Sequence, residues 1–515
     1  MTAPRAAAAL AGIVAGGVAV AVAVFTAAVL DDESPVDAVA GAFVDRTPAW
    51  LRELAIDWFA TNDKRALRVG IFVVLGIAAA IVGMLGQRRR WMGLAGIAAF
   101  GVLGAAAAAE RPGAGTAAIL APFVGAAAGA LTLTVLLAAL RAPAPRVEVP
   151  GPSRVPLGWD RRRFLATSGA GVAVAAVAGA GAFRLERQRV RAIEAAAPDQ
   201  LPALGPGGAA AEIPNGAGVV PGTPYLTPNA DFYRIDTAHS FPRVDLDRWT
   251  MRVHGLVDEE LSLTYADLSR LPQVERVITL CCVSNEVGGP YIGNAVWQGV
   301  LLADVLAMAG VRDEAEQVFS RSLDGWTCGF PVQVALDGRD NLIALGMNGE
   351  PLPLAHGFPA RLVVPGLYGY VSATKWLKEI ELTTWDAAEG YWVPRGWARE
   401  APVKTQSRID VPRRGERLLA GPTAVAGVAW AQHRGVERVE VRVDGGPWRL
   451  ARLGTDVTDD SWRQWVLDWE ATEGDHLIEV RATDKTGETQ TEARSPVAPD
   501  GATGWHSRRV SVSPA

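Results

Sequence analysis

The sequence predicts three kinds of structure in series: an N-terminal region of transmembrane α-helices, a soluble α+β domain, and a C-terminal immunoglobulin-like β-sandwich. Three observations carry this expectation. Residues 1–185 are dominated by Ala, Gly, Val and Leu, in apolar runs long enough to cross a bilayer. Residues 200–515 carry mixed charge and most of the 17 Trp. Beyond about residue 400 apolar and polar residues alternate, which is the period of strands. At 515 residues the chain is long enough for two to four units. A net charge of −5 offers no basic field for nucleic acid.

Four segments before residue 145 are apolar over about 20 residues, the length a spanning helix requires. They are roughly 7–30, 68–86, 92–109 and 116–140. Basic residues favour the cytoplasmic side. Gln87-Arg88-Arg89-Arg90, then Arg141, Arg146 and Arg154, therefore belong inside. Asp31-Asp32-Glu33 and the Glu110-Arg111 turn then fall outside, and the N-terminus inside. Residues 146–190 hold Asp160-Arg161-Arg162-Arg163-Phe164-Leu165 and an apolar run to about Phe183. This pattern resembles a twin-arginine export signal; a fifth transmembrane helix with a basic flank is the alternative. Either way the remaining chain lies outside the membrane. The basic patch Arg184, Arg187, Arg189 and Arg191 runs against that topology. All six His lie at or beyond His239, so the membrane helices offer no His pair for haem.

Residues 191–222 are rich in Ala, Pro and Gly and read as a linker. From residue 223 to 390 short strands and a few helices are expected: a strand over 249–255, a helix over 301–310 ended by Gly, a buried strand at 362–366, a strand over 376–383. From 400 to 515 alternation at Val439, Val441 and Val443, with an Asp444-Gly445 turn, predicts a hairpin. Runs at 462–469 and 477–482 extend the same sandwich.

Three segments could carry chemistry. Leu280-Cys281-Cys282-Val283-Ser284-Asn285 delivers a thiol from a strand to a polar turn, with Gly288, Gly289 and Gly293 following. Three Cys cannot form a disulfide framework, so metal ligation or plain burial must account for them. His356-Gly357-Phe358-Pro359-Ala360-Arg361, with Lys375 after Pro365-Gly366, clusters cations around tight turns and suits a phosphate; a solvated polar loop is the alternative. The third is Thr227-Pro228-Asn229-Ala230-Asp231-Phe232-Tyr233-Arg234.

Taken together these segments resemble the sulfite-oxidase family of molybdenum-pterin enzymes. Cys282-Val283-Ser284-Asn285 resembles the family's Cys-x-Gly-Asn, and Asp324-Gly325-Trp326 its Asp-Gly-Tyr. Met347-Asn348-Gly349-Glu350-Pro351-Leu352-Pro353, leading to His356-Gly357, Pro359, Arg361 and Lys375-Trp376-Leu377, is the most specific match. The resemblance covers about 222–512 and continues into the family's dimerisation domain. It implies a sulfite-oxidase-type molybdopterin-binding domain, Mo-molybdopterin as cofactor, and Cys282 as the metal's thiolate. It further implies that Phe232, Tyr233, Arg234, Asp324, His356, Arg361, Thr374 and Lys375 hold the cofactor, with Trp326 and Glu286 beside the reacting centre.

Departures qualify the substrate. Glu286 and Val287 stand where the family places Arg, Asp236 where it has His, and Trp326 where it has Tyr. Loss of cations disfavours a dianion such as sulfite. The expected function is oxygen-atom transfer outside the cytoplasmic membrane, on a small sulfur compound or an S- or N-oxide. Alternatives are methionine-sulfoxide reduction with a separate haem-bearing membrane partner, and a non-catalytic cell-surface binding protein. The expected partners are a separate electron carrier, a cytochrome or quinone-linked, the membrane and a second copy in a homodimer.

Overall fold

The computed structural model describes residues 5–48, 63–111, 114–141, 160–205, 208–238 and 240–514. Arg146, Arg154, the start of the signal-like segment and His239 lie outside the described residues. The chain forms two compact units, Met1–Ala192 with Ala238–Ser240, and Ile193–Thr237 with Phe241–Ala515.

The first unit is helical. Its elements are α1 (Arg5–Val29), α2 (Pro35–Arg46), α3 (Asp63–Arg88), α4 (Arg90–Ala109), α5 (Thr116–Arg141) and α6 (Arg161–Ala195). All but α2 contain a stretch long and apolar enough to cross a membrane. The short α2 follows from its first residues: Ser34 accepts from Val36 N, and Pro35 sits where its missing N–H costs nothing. Small residues let the helices approach closely. A Cβ at Gly12 of α1 would come within 2.7 Å of Gly83 N of α3, and one at Gly129 of α5 within 2.8 Å of Ala19 of α1. Along α6, Gly171 rests on Val14 and Gly181 on Phe25 of α1, in step, so α1 and α6 run parallel.

Charge separates to the two ends. Phe164 packs with Ala7, Val82, Ile97, Leu137 and Leu140, which brings Arg5, Arg88 to Arg90, Arg141 and Arg161 to Arg163 to one end. At the other, Asp32 accepts from Ala118 N (2.8 Å) and Arg46 pairs with Glu110 (2.7 Å). Arg111 sits between Glu33 and Asp45 there.

The second unit begins with a stretch that read as a linker but lies along the folded domain. Gln298 donates to Pro202 O (2.6 Å), and Val219 and Val220 N–H both donate to Gln464 (2.8 Å). α6 itself runs on to Ala195. The α+β part contains β1 (Thr250–Gly255), β2 (Leu261–Thr264), α7 (Tyr265–Arg270), β3 (Val274–Cys281), β4 (Ile292–Leu301), α8 (Leu302–Ala309), β5 (Gln317–Ser322), β6 (Thr327–Pro331), α9 (Val332–Leu336), β7 (Leu342–Met347), β8 (Glu350–Pro351), β9 (Arg361–Val363), α10 (Gly369–Ser372) and β10 (Leu377–Thr383). One sheet has the order β2-β1-β10-β5-β6. The other runs β3-β4-β7-β8, with β9 also on β7. Their apolar faces share one core that includes Met251, Val253, Val300, Leu306, Ile343, Leu362 and Leu382.

Beyond it come β11 (Gln406–Val411), β12 (Arg417–Leu419), β13 (Gly421–Trp430), β14 (Val436–Val443), β15 (Arg449–Leu450), β16 (Arg452–Leu453), β17 (Arg463–Ala471), β18 (Gly474–Asp484) and β19 (His506–Ser513). They form two sheets, β11-β13-β17-β16 and β12-β19-β18-β14-β15. Alternation turns Val439 and Val441 inward with Val425, Trp465, Ile478 and Val480. Asp444 (φ 52°) and Gly445 (φ 70°) make the left-handed turn that follows β14.

Candidate active site

Cys282 stands just past β3, whose pairing with β4 ends at Cys281 and Ile292. Its N–H donates to Tyr291 O (2.9 Å), and its carbonyl accepts from Asn285 N (3.0 Å). The Asn285 side chain then accepts from Tyr291 N (2.7 Å), closing the loop on itself. The C-terminal sheets hold this loop from outside. Arg408 of β11 donates to Gly289 O (2.9 Å), and the His506 ring of β19 lies against Gly288. Gly288 has φ 78° and no room for a Cβ beside that ring, so glycine is required twice over.

An aromatic block joins this loop to the cationic cluster. Tyr233 stacks on Phe232 (5.2 Å) and tilts toward Tyr291 (6.5 Å). Phe232 meets Trp297 (5.7 Å) and His356 (5.6 Å) edge to face. The Arg361 guanidinium lies 5.0 Å from the Trp297 ring centre. Tyr233 is an electrostatic neighbour of both Cys282 and Arg361, and Lys375 of Cys282.

His356 Nε2 donates to the Asn229 carbonyl (2.8 Å), which can only accept. Its Nδ1 is buried and has no hydrogen-bond partner among the described residues. Arg361 is 4% exposed and donates to His356 O (3.0 Å). Among the described residues no carboxylate stands within ion-pair distance of it. Lys375 donates to Ala355 O (3.0 Å) and pairs with Asp236 (3.1 Å). Burial pushes Lys375 down to about 8, with Asp236 pulling the other way, and Arg361 down to about 10. Burial takes His356 down to about 4, and the charges of Arg361 and Lys375 add to that. Burial also pushes the Cys282 thiol up, against donation from Ser284 and the Lys375 charge.

The other expected residues divide. Thr374 is buried, its hydroxyl shared with Ser320 Oγ (2.7 Å) and Cys328 Sγ (3.1 Å). Arg234 is exposed, paired with Asp236 (2.9 Å) and 4.2 Å from the Phe241 ring centre. Asp324 accepts from Ser322 Oγ and from Trp326 N (3.2 Å), so Asp324 and Trp326 close the β5–β6 turn. Among the described residues no hydrogen bond or ring contact joins that turn to Cys282, His356, Arg361 or Lys375. Glu286 is exposed.

Sequence reading missed several parts. Asp236 was visible as a departure from a motif, but its partner Lys375 lies 139 residues away. Arg408 and His506 had no local signal. Asn229 stood inside a segment singled out above and Trp297 within β4, but their contacts are set by the fold.

Residues 238–392 match the family model described as oxidoreductase molybdopterin binding domain. The chain is 32% identical over 325 residues to sulfite oxidase of Gallus gallus, covering 53% of this chain and 70% of that one. The chain belongs to the sulfite-oxidase family of molybdopterin oxidoreductases. It is also 31% identical over 345 residues to mitochondrial sulfite oxidase of Homo sapiens, covering 56% of this chain but only 62% of that relative's length. Among solved structures it resembles the sulfane dehydrogenase SoxCD of Paracoccus pantotrophus, with TM-score 0.50 and 25% identity over 57% of this chain and 85% of that one.

The residues of this family member fit the family's cofactor. Burial holds His356, Arg361 and Lys375 below their ordinary values, and the Arg361 charge lowers the other two further, so an anion such as a pterin phosphate beside the orphaned His356 Nδ1 relieves the group. The ring faces of Phe232, Tyr233 and Trp297 suit a flat heterocycle. No three His, Cys, Asp or Glu converge on a metal-sized site among the described residues. The buried Cys282 thiol is the soft donor on this loop that would suit the cofactor's metal.

His356 also sets a pH test. Its folded value, about 4, lies below the ordinary 6.5, so the unfolded chain takes up the proton first as pH falls. Stability is then full above 6.5 and is lost progressively between 6.5 and 4, by about 3 kcal/mol. Denaturant melts of cofactor-free protein should show this slope. His356→Gln should reduce this slope but not abolish it, because burial also takes His506 down to about 4, and an unchanged slope in that variant would remove His356 as a cause.

Proposed function

We propose that the chain moves an oxygen atom to or from a small molecule, with a two-electron redox change, outside the cytoplasmic membrane. The observation that supports this most is the continuous group from the Cys282 loop through Tyr233 and Phe232 to His356, Arg361 and Lys375. The molybdenum-pterin cofactor, when bound, supplies the oxygen-atom transfer. Cys282 is the thiolate ligand. Its burial keeps water from the sulfur, and its raised thiol value means that the proton leaves only against a nearby positive charge. His356, Arg361 and Lys375 hold the phosphate and ring, Phe232 and Tyr233 support the ring, and Thr374, Arg234 and Asp324 complete the surroundings. Trp326 and Glu286 belong to the substrate side.

One observation favours a neutral substrate. The cation beside Cys282, Lys375, is already answered by Asp236, and Glu286 adds negative charge on the loop itself. A thioether oxide or amine oxide suits such a site better than a dianion. Its reduction takes two electrons from a separate carrier, a cytochrome or quinone-linked, and two protons, and releases water. Full-length protein should contain about one molybdenum per chain and reduce methionine-sulfoxide peptide or an N-oxide with reduced dye faster than it oxidises sulfite. Faster sulfite oxidation would reverse the substrate assignment, and active protein without molybdenum would end the proposal.

We also propose that residues 1–145 form four spanning helices and 146–190 a signal-like fifth, with the catalytic domain at 223–390 outside. The separation of Arg5, Arg88 to Arg90, Arg141 and Arg161 to Arg163 from Asp32, Glu33, Asp45 and Glu110 supports a cytoplasmic N-terminus. The close seat of Gly171 and Gly181 on α1 supports a retained α6. The two C-terminal sheets, 400–515, are read as an immunoglobulin-like sandwich of the family's dimerisation type.

A further inference from the structure

The geometry points to a binding site for the phosphodiester headgroup of an anionic phospholipid, in the cleft between the start of α4 and the last two turns of α5. This rests on the membrane reading above and is independent of the redox site. The cleft has a volume of about 300 Å³ and is lined by Arg90, Thr134, Leu137, Ala138 and Arg141. Thr134, Leu137, Ala138 and Arg141 recur every three to four residues, so they form one stripe down α5. Arg90, the first residue of α4, closes the stripe from the other side.

The polar groups are available. Arg141 reaches the Gly86 and Gln87 carbonyls at the end of α3 at 3.4 and 3.3 Å, a loose contact that uses one of its nitrogens. Among the described residues neither Arg90 nor Arg141 has a carboxylate within ion-pair distance, and the Thr134 hydroxyl has no partner. At this end Arg5, Arg88, Arg89 and Arg161 to Arg163 add positive charge, and Asp160 is occupied in capping α6 through Arg163 N (2.9 Å). Two guanidiniums and a hydroxyl around one opening present the donors that phosphate oxygens accept.

The apolar half decides for a lipid over a free anion. Leu137 and Ala138 wall the cleft, and Leu131 (67% exposed) and Val135 (45%) continue the same helix as an uncovered apolar surface. Trp91, 63% exposed and next to Arg90, has the amphipathic ring that settles at headgroup level. A headgroup in the cleft would lay its acyl chains along Leu131 and Val135. Basic clefts between spanning helices bind anionic headgroups in this way.

Native mass spectrometry of the full-length chain in mild detergent, titrated with phosphatidylglycerol or phosphatidylcholine, tests this. One phosphatidylglycerol should be retained per chain at concentrations where phosphatidylcholine is not. Arg90→Gln should weaken it about fivefold, and Arg90→Gln with Arg141→Gln about 30-fold. Arg88→Gln with Arg89→Gln should change it far less. Arg141 also touches α3, so the single Arg90→Gln variant, checked for an unchanged melting temperature, keeps the test independent of folding. Equal retention of phosphatidylcholine, no effect of Arg90→Gln, or displacement of the lipid by millimolar inorganic phosphate would each overturn the site. A chain that purifies without detergent would instead sink the membrane reading before any titration.

Discussion

Replacing Cys282 by Ser should abolish molybdenum-dependent turnover while leaving the fold intact. A hydroxyl is nearly the size of a thiol, and Cys282 touches its loop mainly through its backbone, to Tyr291 O and Asn285 N. Those bonds survive the substitution, and so do the Arg408 and His506 braces on Gly288 and Gly289. What is lost is a soft anionic ligand: a serine hydroxyl is far harder to deprotonate, and its oxygen suits a metal bound by sulfur poorly. Partners of ligating residues typically cost 10–100-fold, so loss of the ligand itself should cost more than about 100-fold. The measurement is turnover with the best substrate, beside a melting temperature and molybdenum content. Cys281→Ser is the control, because Cys281 lies within β3 and its thiol meets the Cys282 carbonyl (3.5 Å) and the Asn285 side chain. Equal turnover in wild type and Cys282→Ser would defeat the metal-ligand assignment.

Asp236→Asn should destabilise cofactor-free protein at pH 7 by up to about 1.4 kcal/mol more than at pH 10, because a Lys375 that folds with a value of about 8 can shed its proton once its partner is gone. Lys375 is 9% exposed, and Asp236 is the carboxylate that meets its ammonium. Lys375 folds with a value of about 8 against an ordinary 10.5, so the unfolded chain holds the proton more tightly. Stability is therefore already lost as pH falls from 10.5 to 8, and removing Asp236 deepens that loss. The variant should be closest to wild type near pH 10 and furthest from it at neutral pH. Phosphate or the cofactor, by supplying the missing negative charge, should restore part of the stability. Urea midpoints at pH 7 and 10 decide it: the same deficit at both values would show that Asp236 acts through packing or through Arg234 and not through the Lys375 charge.

Much of the fold was legible because local patterns and burial agree there. The four early apolar runs became helices within a few residues of their expected ends, since Ala- and Leu-rich segments stop at Arg88, Glu110 and Arg141. Val439, Val441 and Val443 with Asp444-Gly445 became a strand and turn because period two and left-handed turn residues describe the same hairpin. The stretch over 191–222 misled because its Ala, Pro and Gly look like a free tether. Its backbone is tied down by Gln298 and Gln464, side chains that belong to strands far along the chain. Trp326 is placed at the reacting centre by motif alone, and its backbone N–H and carbonyl, which close the β5–β6 turn, leave the ring's role to the proposal above.

The sequence by itself determined the kinds of element, the membrane-length helices and the identity of the chemical groups: a thiol after a strand, and a His, an Arg and a Lys near tight turns. These follow from composition, period and motif, which are properties of neighbouring residues. Only the tertiary structure decided that Tyr233 spans from Cys282 to Arg361, that Asp236 answers Lys375, and that Arg408 and His506 brace the Cys282 loop. Each of those joins residues about 50 to 220 positions apart. What fixes such a pair is the packing of whole sheets around a common core, and no local stretch of the chain encodes that.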